Sequence, residues 1–356
     1  MYGPQQVRGA ELAVTQINAA GGVAGRKLEL KILNDASNPA RGAADFRQLA
    51  GPGKAVALLG PTLSNVARRA DPVADRLGVP VMAVSNTAPG IVGKCPYPCR
   101  FIWRDALGEA TAIPDAISFD LGLAHSVSAA TVAVANDIYS RQDAAIAAAA
   151  FRADGVDVVR QVTIPAGSTS LNTYADRVVA SRASAVFLTA SAGSVAAALV
   201  NALKARGFTG QVIGGDAFES SATIRLLASG TTVLSGASWW PGNHFPANDT
   251  FIASYQRAFG TTPDQYAALS YTGVLILAQA IRNSASAEAS TAPWPASGSL
   301  RQERSALQAA MHTVALTTPL GPFRFTAAHD VSQTVWIVKY TGSRPAQLLG
   351  FCDPGC

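Results

Sequence analysis

Hydroxyl side chains gather where two short apolar runs end. Residues 55–59 lead into GPTLS, which carries Ser64, and residues 79–84 lead into Ser85 and Thr87. If both runs are parallel strands, their carboxyl ends border the crevice in which open α/β sheets hold ligands. A helix opening at Ser64 turns free N–H groups toward the same place. Hydroxyls and amides so arranged suit a carboxylate, although Ser64 as a plain N-cap and Thr87 as a turn residue remain open readings. A later strand end supplies an acid. Asp216 follows VIGG, where its carboxylate is expected to face the crevice, the competing reading being an N-cap for the residues after Phe218.

Little else in the chain could do chemistry. There is no G-x-S-x-G elbow, no G-x-x-x-x-G-K-[ST] loop and no G-x-G-x-x-G fingerprint. His125, His244, His312 and His329 are far apart and none has metal-ligand spacing, so they read as surface or hinge residues. No enzyme activity, cofactor or metal is expected. Trp239-Trp240 could line the mouth of a crevice or pack beneath a crossing segment. The four cysteines form two tight pairs, Cys95/Cys99 and Cys352/Cys356, in turn-rich loops. Such pairs fit structural disulfides and an oxidising compartment, with three connectivities formally open. A four-cysteine zinc site is disfavoured, because three residues separate each pair where zinc ribbons usually leave two.

The elements that must position these residues follow from length and pattern. A chain of 356 residues, 49% apolar, suggests two domains of ordinary size. Charged residues are only 14%, against about 25% in an average domain. The net charge of +5 comes from scattered arginines without a basic stripe, which argues against a nucleic-acid partner. The uncharged run 183–203 has the length of a membrane span, but Ser191, Gly193, Ser194 and Asn201 break it into a strand, a turn and a helix. From the start, residues 7–19 have helical periodicity and stop at Gly21-Gly22, residues 27–34 alternate as a strand, and residues 40–50 form the next helix. The same α/β alternation resumes after residue 125 and predicts helices over 246–259 and 263–283. A loop over 284–299, a short helix, a GPFRF strand and a final strand over 334–340 complete it.

Several phrases together resemble one family, the leucine/isoleucine/valine-binding type of periplasmic solute-binding proteins that feed ABC importers. They are INAAGGVAGRKLEL (17–30), the turn at residues 35–39, GPTLS with VPVMAVSNT, NDIYS (136–140), VIGGDAF (212–218) and PLGPFRF. The resemblance implies two Rossmann-like lobes, each a parallel sheet flanked by helices, joined by three crossovers near residues 120–125, 241–247 and 326–332. Lobe 1 would hold residues 1–121 and 246–327, and lobe 2 residues 122–245 and 328–356. It further implies that a ligand carboxylate meets Ser64, Thr87 and the Ser85 backbone, and that an ammonium meets Asp216. Tyr2, Tyr139 and Tyr266 match aromatic wall positions. Ser191 stands where the branched-chain binders carry tyrosine, which predicts a larger or wetter pocket. Family members also place a strand before the tyrosine-glycine that matches Tyr2-Gly3, so an interior strand beside residues 27–34 is expected to be missing.

Three functions fit this pattern. The first is an extracytoplasmic, monomeric solute-binding protein that delivers an amino-acid-like ligand to an importer permease. The others are the extracellular sensor domain of a receptor or kinase and a cytosolic ligand-responsive regulator. The cytosolic reading is the one that should not want two cysteine pairs. Mass spectrometry of a non-reduced digest is expected to link Cys95 to Cys99 and Cys352 to Cys356. Free thiols or cross-pairing would refute that pairing.

Overall fold

The computed structural model describes residues 2–168, 170–287, 299–342 and 344–354. Its helices are α1 (Gly3–Ala19), α2 (Pro39–Ala50), α3 (Ser64–Leu77), α4 (Glu109–Ala124), α5 (Ile138–Ala153), α6 (Asn172–Ala180), α7 (Gly193–Ala205), α8 (Ser221–Ile224), α9 (Pro246–Phe259), α10 (Gln265–Ala287) and α11 (Leu300–Met311). The strands are β1 (Leu58–Leu59), β2 (Val81–Ala83), β3 (Ile102–Arg104), β4 (Ser128–Val134), β5 (Asp157–Ile164) and β6 (Ala185–Leu188). They continue with β7 (Gln211–Gly214), β8 (Thr232–Ala237), β9 (Ala315–Thr318), β10 (Gly321–Arg324), β11 (Val335–Thr341) and β12 (Gln347–Cys352).

Two helix-flanked sheets result, as the α/β alternation requires. The smaller is parallel, in the order β1-β2-β3, and the larger has the order β12-β11-β8-β7-β6-β4-β5. Pairs from β4 to β8 are parallel, whereas β11 runs antiparallel to both β8 and β12. β2 and β6 are buried along their whole length, which is why both read as continuous apolar runs without alternation. β9 and β10 form a separate antiparallel pair.

Local chemistry sets the ends. Asn38 caps α2, its Oδ1 accepting from the Ala40 and Arg41 amides at 2.9 and 3.0 Å. Asp137 caps α5 through the Ser140 amide at 3.3 Å. After α1 the chain turns at Gly22 with φ +83°, and a Cβ there would stand 2.1 Å from the Arg26 carbonyl oxygen. One apolar cluster joins α1, α10 and Trp103 to the inner side of α4, and a second fills the other side of the larger sheet around Val186, Leu188 and Phe218.

Several expectations need correction. Residues 27–34 form no sheet ladder among the described residues; Ile32 and Leu33 are exposed, and only the Asn18 side chain holds the Leu28 backbone, at 2.7 and 2.9 Å. Alternation supplies a face, but a strand also needs a partner to take its N–H and C=O groups. The strand at 335–341 is not the last, since β12 pairs beside it. β3, β9 and β12 lie in stretches too short or too irregular to announce themselves. The expected loop over 284–299 begins as helix, because α10 runs to Ala287; residues 288–298 lie outside the described ones. The run 183–203 folds as β6, a turn and α7, and among the described residues no helix is long and apolar enough to cross a membrane. Cys95 and Cys99 are bonded, with Cα atoms 6.2 Å apart, while Cys356 lies outside the described residues and with it the second expected bridge.

The packing of α1 on α10 is close enough to test. A Cβ on Gly9 would lie 2.2 Å from the Ala267 carbonyl oxygen, whereas one on Gly3 would meet nothing within 4 Å. Gly9→Ala is expected to lower stability by about 1–3 kcal/mol in urea denaturation, and Gly3→Ala to change it by less than about 0.5 kcal/mol.

Candidate functional site

The crevice residues come from strand ends, as an open α/β sheet dictates. β2 delivers Ser85, Asn86 and Thr87; β1 delivers Thr62 and, as the first residue of α3, Ser64. From the other side β4 leads to Asp137 and Tyr139, β6 to Thr189 and Ser191, and β7 to Asp216. Ser64 is not an N-cap: Leu63 holds that position without a side-chain bond. The Ser64 hydroxyl instead accepts from the Ala88 amide at 3.4 Å. Nor does Asp216 cap a helix with its side chain, since its carboxylate points across the crevice.

The arrangement centres on that carboxylate, 7% exposed. Asp216 Oδ1 is 2.5 Å from the Tyr139 hydroxyl, and Oδ2 is 3.3 Å from the Thr87 hydroxyl. The Tyr139 oxygen also lies 3.2 Å from Glu109 Oε1 and 2.9 Å from Thr189 Oγ1. Glu109 Oε1 accepts from the Asp216 amide at 3.0 Å. Gly215 makes this convergence possible, because a Cβ there would stand 2.6 Å from the Tyr139 oxygen and 3.0 Å from Glu109 Oε1. One phenolic proton can serve only one acceptor, and the shortest contact is to Asp216.

Burial pushes both carboxyls up. Glu109 stands well above its ordinary value through burial, reinforced by the charge on Asp216. Asp216 is pushed up to about 6 by burial, restrained by hydrogen bonds from Tyr139, Glu109 and Thr87. Burial and the neighbouring charge thus favour the protonated form of Glu109, while the hydrogen bonds on Asp216 favour its charged form. No lysine or arginine forms an ion pair with Asp216 among the described residues.

Tyr2, Ser64, Ser85, Tyr139, Ser191, Asp216 and Tyr266 line one cavity of about 20 Å³, and Thr87 reaches it through Asp216. Tyr2 stacks on Tyr266 with ring centroids 4.5 Å apart, and the Tyr266 hydroxyl donates to the Asp216 carbonyl at 3.2 Å. The Ser85 hydroxyl is turned away: it donates to the Thr62 carbonyl and accepts from Gln6, both at 2.8 Å. Beside Ser191, where a larger or wetter pocket is expected, polar side chains gather. Asp137 accepts from the Ser191 hydroxyl at 2.7 Å and amide at 2.6 Å, and Asn65 reaches across from α3 to both, at 3.2 and 3.4 Å. Trp239 packs on Phe251 and donates to Asn248 at 2.8 Å, away from the crevice. A larger groove of about 480 Å³ runs between α2 and α3, lined by Arg47, Arg68, Arg69 and Arg76.

Glu109, Thr189, Asn65, Asp137 and Gln6 were not singled out from the sequence. Asp137 and Thr189 end recognisable strands and could have been found by the same rule as Thr87. Glu109 follows β3, which was not recognised.

A periplasmic binding protein family model matches residues 1–344. An amino acid binding protein of Pseudomonas aeruginosa is 26% identical over 300 residues, 82% of this chain and 78% of that protein. Among solved structures, the branched-chain amino acid transporter substrate-binding protein LivJ of Streptococcus pneumoniae, in complex with isoleucine, superposes with a TM-score of 0.83 at 20% identity, covering 98% and 94% of the two chains. An ABC transporter solute-binding protein of R. palustris, in complex with benzoate, does so at 0.82 and 19%, covering 99% and 92%.

Asp216 binds protons more tightly folded than unfolded, so its contribution to stability falls as pH rises from its ordinary 3.8 to about 6. Asp120, pushed to about 6 by burial, adds the same sign. Urea denaturation of the ligand-free protein at pH 4 to 6.5 is expected to show Asp216→Asn losing less stability than the parent as pH rises. The difference should be up to about 1.4 kcal/mol per pH unit. Equal slopes would mean that Asp216 is not held as described.

Proposed function

This chain belongs to the periplasmic binding protein family, and we propose that it is the extracytoplasmic solute-binding protein of an ABC importer whose ligand is an α-amino acid or close analogue. The observation that carries this reading is the buried Asp216 carboxylate, which meets the Thr87 hydroxyl and shares a cavity with Ser64, with no lysine or arginine paired to it among the described residues. A buried carboxylate without a partner is costly, and a ligand ammonium removes that cost. The hydroxyls opposite suit the ligand carboxylate, and Tyr2, Tyr139 and Tyr266 suit its apolar part. The isoleucine complex of a protein of the same fold and the amino acid binding relative support the same choice.

Binding divides between two lobes, residues 1–121 with 246–327 and residues 122–245 with 328–356. The separation of the two sheets supports that division. The direct Thr87–Asp216 contact spans the crevice, so a ligand enters only when it opens. An amino acid then replaces one weak hydrogen bond with contacts on both sides, and this difference in affinity favours closure. Delivery to a permease and a monomeric state complete the proposal.

The R. palustris neighbour, bound to benzoate, defines the competing ligand class. An acid lacking an amine leaves Asp216 unpaired, so it is the less suited occupant. A thermal-shift screen of amino acids, amides and aromatic acids separates the classes, since a ligand at about 100 times its Kd stabilises by roughly 2.7 kcal/mol. Asp216→Ala is expected to weaken amino-acid binding at least about thirtyfold by calorimetry. Ser64→Ala is expected to cost about 1.5–3 kcal/mol. Des-amino acids that bind as tightly as amino acids would reject this ligand class.

A further inference from the structure

We propose that Arg104 and Asp330 form a positioning pair that ties the segment between β10 and β11 to the backbone of the carboxylate cradle. Arg104 closes β3 and is 5% exposed. Its Nη1 donates to the carbonyls of Asn86 and Thr87 at 3.2 and 3.0 Å, and its Nε donates to Asp330 Oδ1 at 2.9 Å. Its Nη2 meets Asp330 Oδ2, which makes the ion pair bidentate. One guanidinium therefore grips two chain segments at once.

Both segments are anchored around it. The Arg104 amide donates to the His329 carbonyl at 3.0 Å, and the Asp330 carbonyl closes a turn with the Thr326 amide at 2.7 Å. On the other side, the Thr87 carbonyl also accepts from the Glu109 amide at 3.0 Å, and the next amide, Ala88, donates to Ser64. Gly108 leaves the room the guanidinium needs, since a Cβ there would stand 2.5 Å from Nη2. Fixing the Thr87 carbonyl fixes the peptide plane that follows it. The direction of Thr87 and Ala88, and with it the Ser64 contact, depends on where Asp330 holds Arg104.

Lysine cannot replace this arrangement, because a point charge on a flexible stem cannot grip both sides with fixed geometry. Removing the Asp330 charge leaves Arg104 a buried cation without a counter-ion, which releases its hold on the two carbonyls. Movement of the segment carrying Asp330 during lobe closure is in this way transmitted to the carboxylate end of the ligand. The ligand part of the inference rests on the amino-acid reading above, whereas the coupling itself does not.

The test separates the two. Amide exchange in the ligand-free protein, followed by NMR, is expected to quicken at least tenfold at Ala88 and Glu109 in both Asp330→Asn and Arg104→Lys. Exchange at Val132, within β4, should stay within twofold of the parent in both. Asp330→Glu, which keeps the charge, is expected to restore the parent rates. Ala88 and Glu109 rates unchanged in both variants, or changed only in step with Val132, would overturn the coupling whatever the ligand is. Calorimetry with isoleucine and isoleucinamide supplies the second readout. Asp330→Asn is expected to weaken isoleucine at least about fivefold more than isoleucinamide, and equal losses would overturn the link to the carboxylate. If the parent binds neither compound, the amino-acid reading loses its support while the exchange rates still decide the coupling.

Discussion

The structure is organised by the cost of keeping one carboxylate dry. Asp216 is buried without a lysine or arginine partner among the described residues, so the groups around it supply hydrogen bonds instead of charge. Tyr139 supplies the shortest of these, Glu109 lies beside it with its carboxyl pushed up by burial, and Thr189 holds the phenol from the other side. These groups come from α5, α4 and the end of β6, and they meet only because Gly215 presents no side chain to separate them. A single residue change at any of these elements would alter the field at Asp216.

The carboxylate also faces the opposing hydroxyls, and this couples electrostatics to shape. With Thr87 in direct contact with Asp216, the cavity is only about 20 Å³, room for about one water molecule. Asn65 also crosses, to Asp137, Ser191 and the Ile138 amide, as does the Tyr266 hydroxyl to the Asp216 carbonyl. Each of these bonds is individually modest, and each exchanges for contact with water on opening.

Much of this was legible in the sequence because local rules and the fold agree. Alternating apolar runs and helical periodicity gave the α/β class; Asn38 and Gly22 set the chain reversals they suggested. The strand-end rule brought Ser64, Thr87 and Asp216 to one crevice. It failed where an element depends on a neighbour: residues 27–34 have the alternation of a strand yet find no ladder, and β3 and β12 exist through pairing more than through propensity.

The sequence alone determined the strand ends that carry Ser64, Thr87 and Asp216, the buried runs of β2 and β6 and that each cysteine has a near neighbour, because these depend on spacing of a few residues. Only the tertiary structure decided the burial that pushes the Glu109 and Asp216 carboxyls up, the turning away of the Ser85 hydroxyl, the contact of Asn65 with Ser191 and the grip of Arg104 on two segments. Those depend on burial and on pairs as far apart as residues 104 and 330. Desolvation and long-range contact arise only once the chain has closed on itself, and no local pattern encodes them.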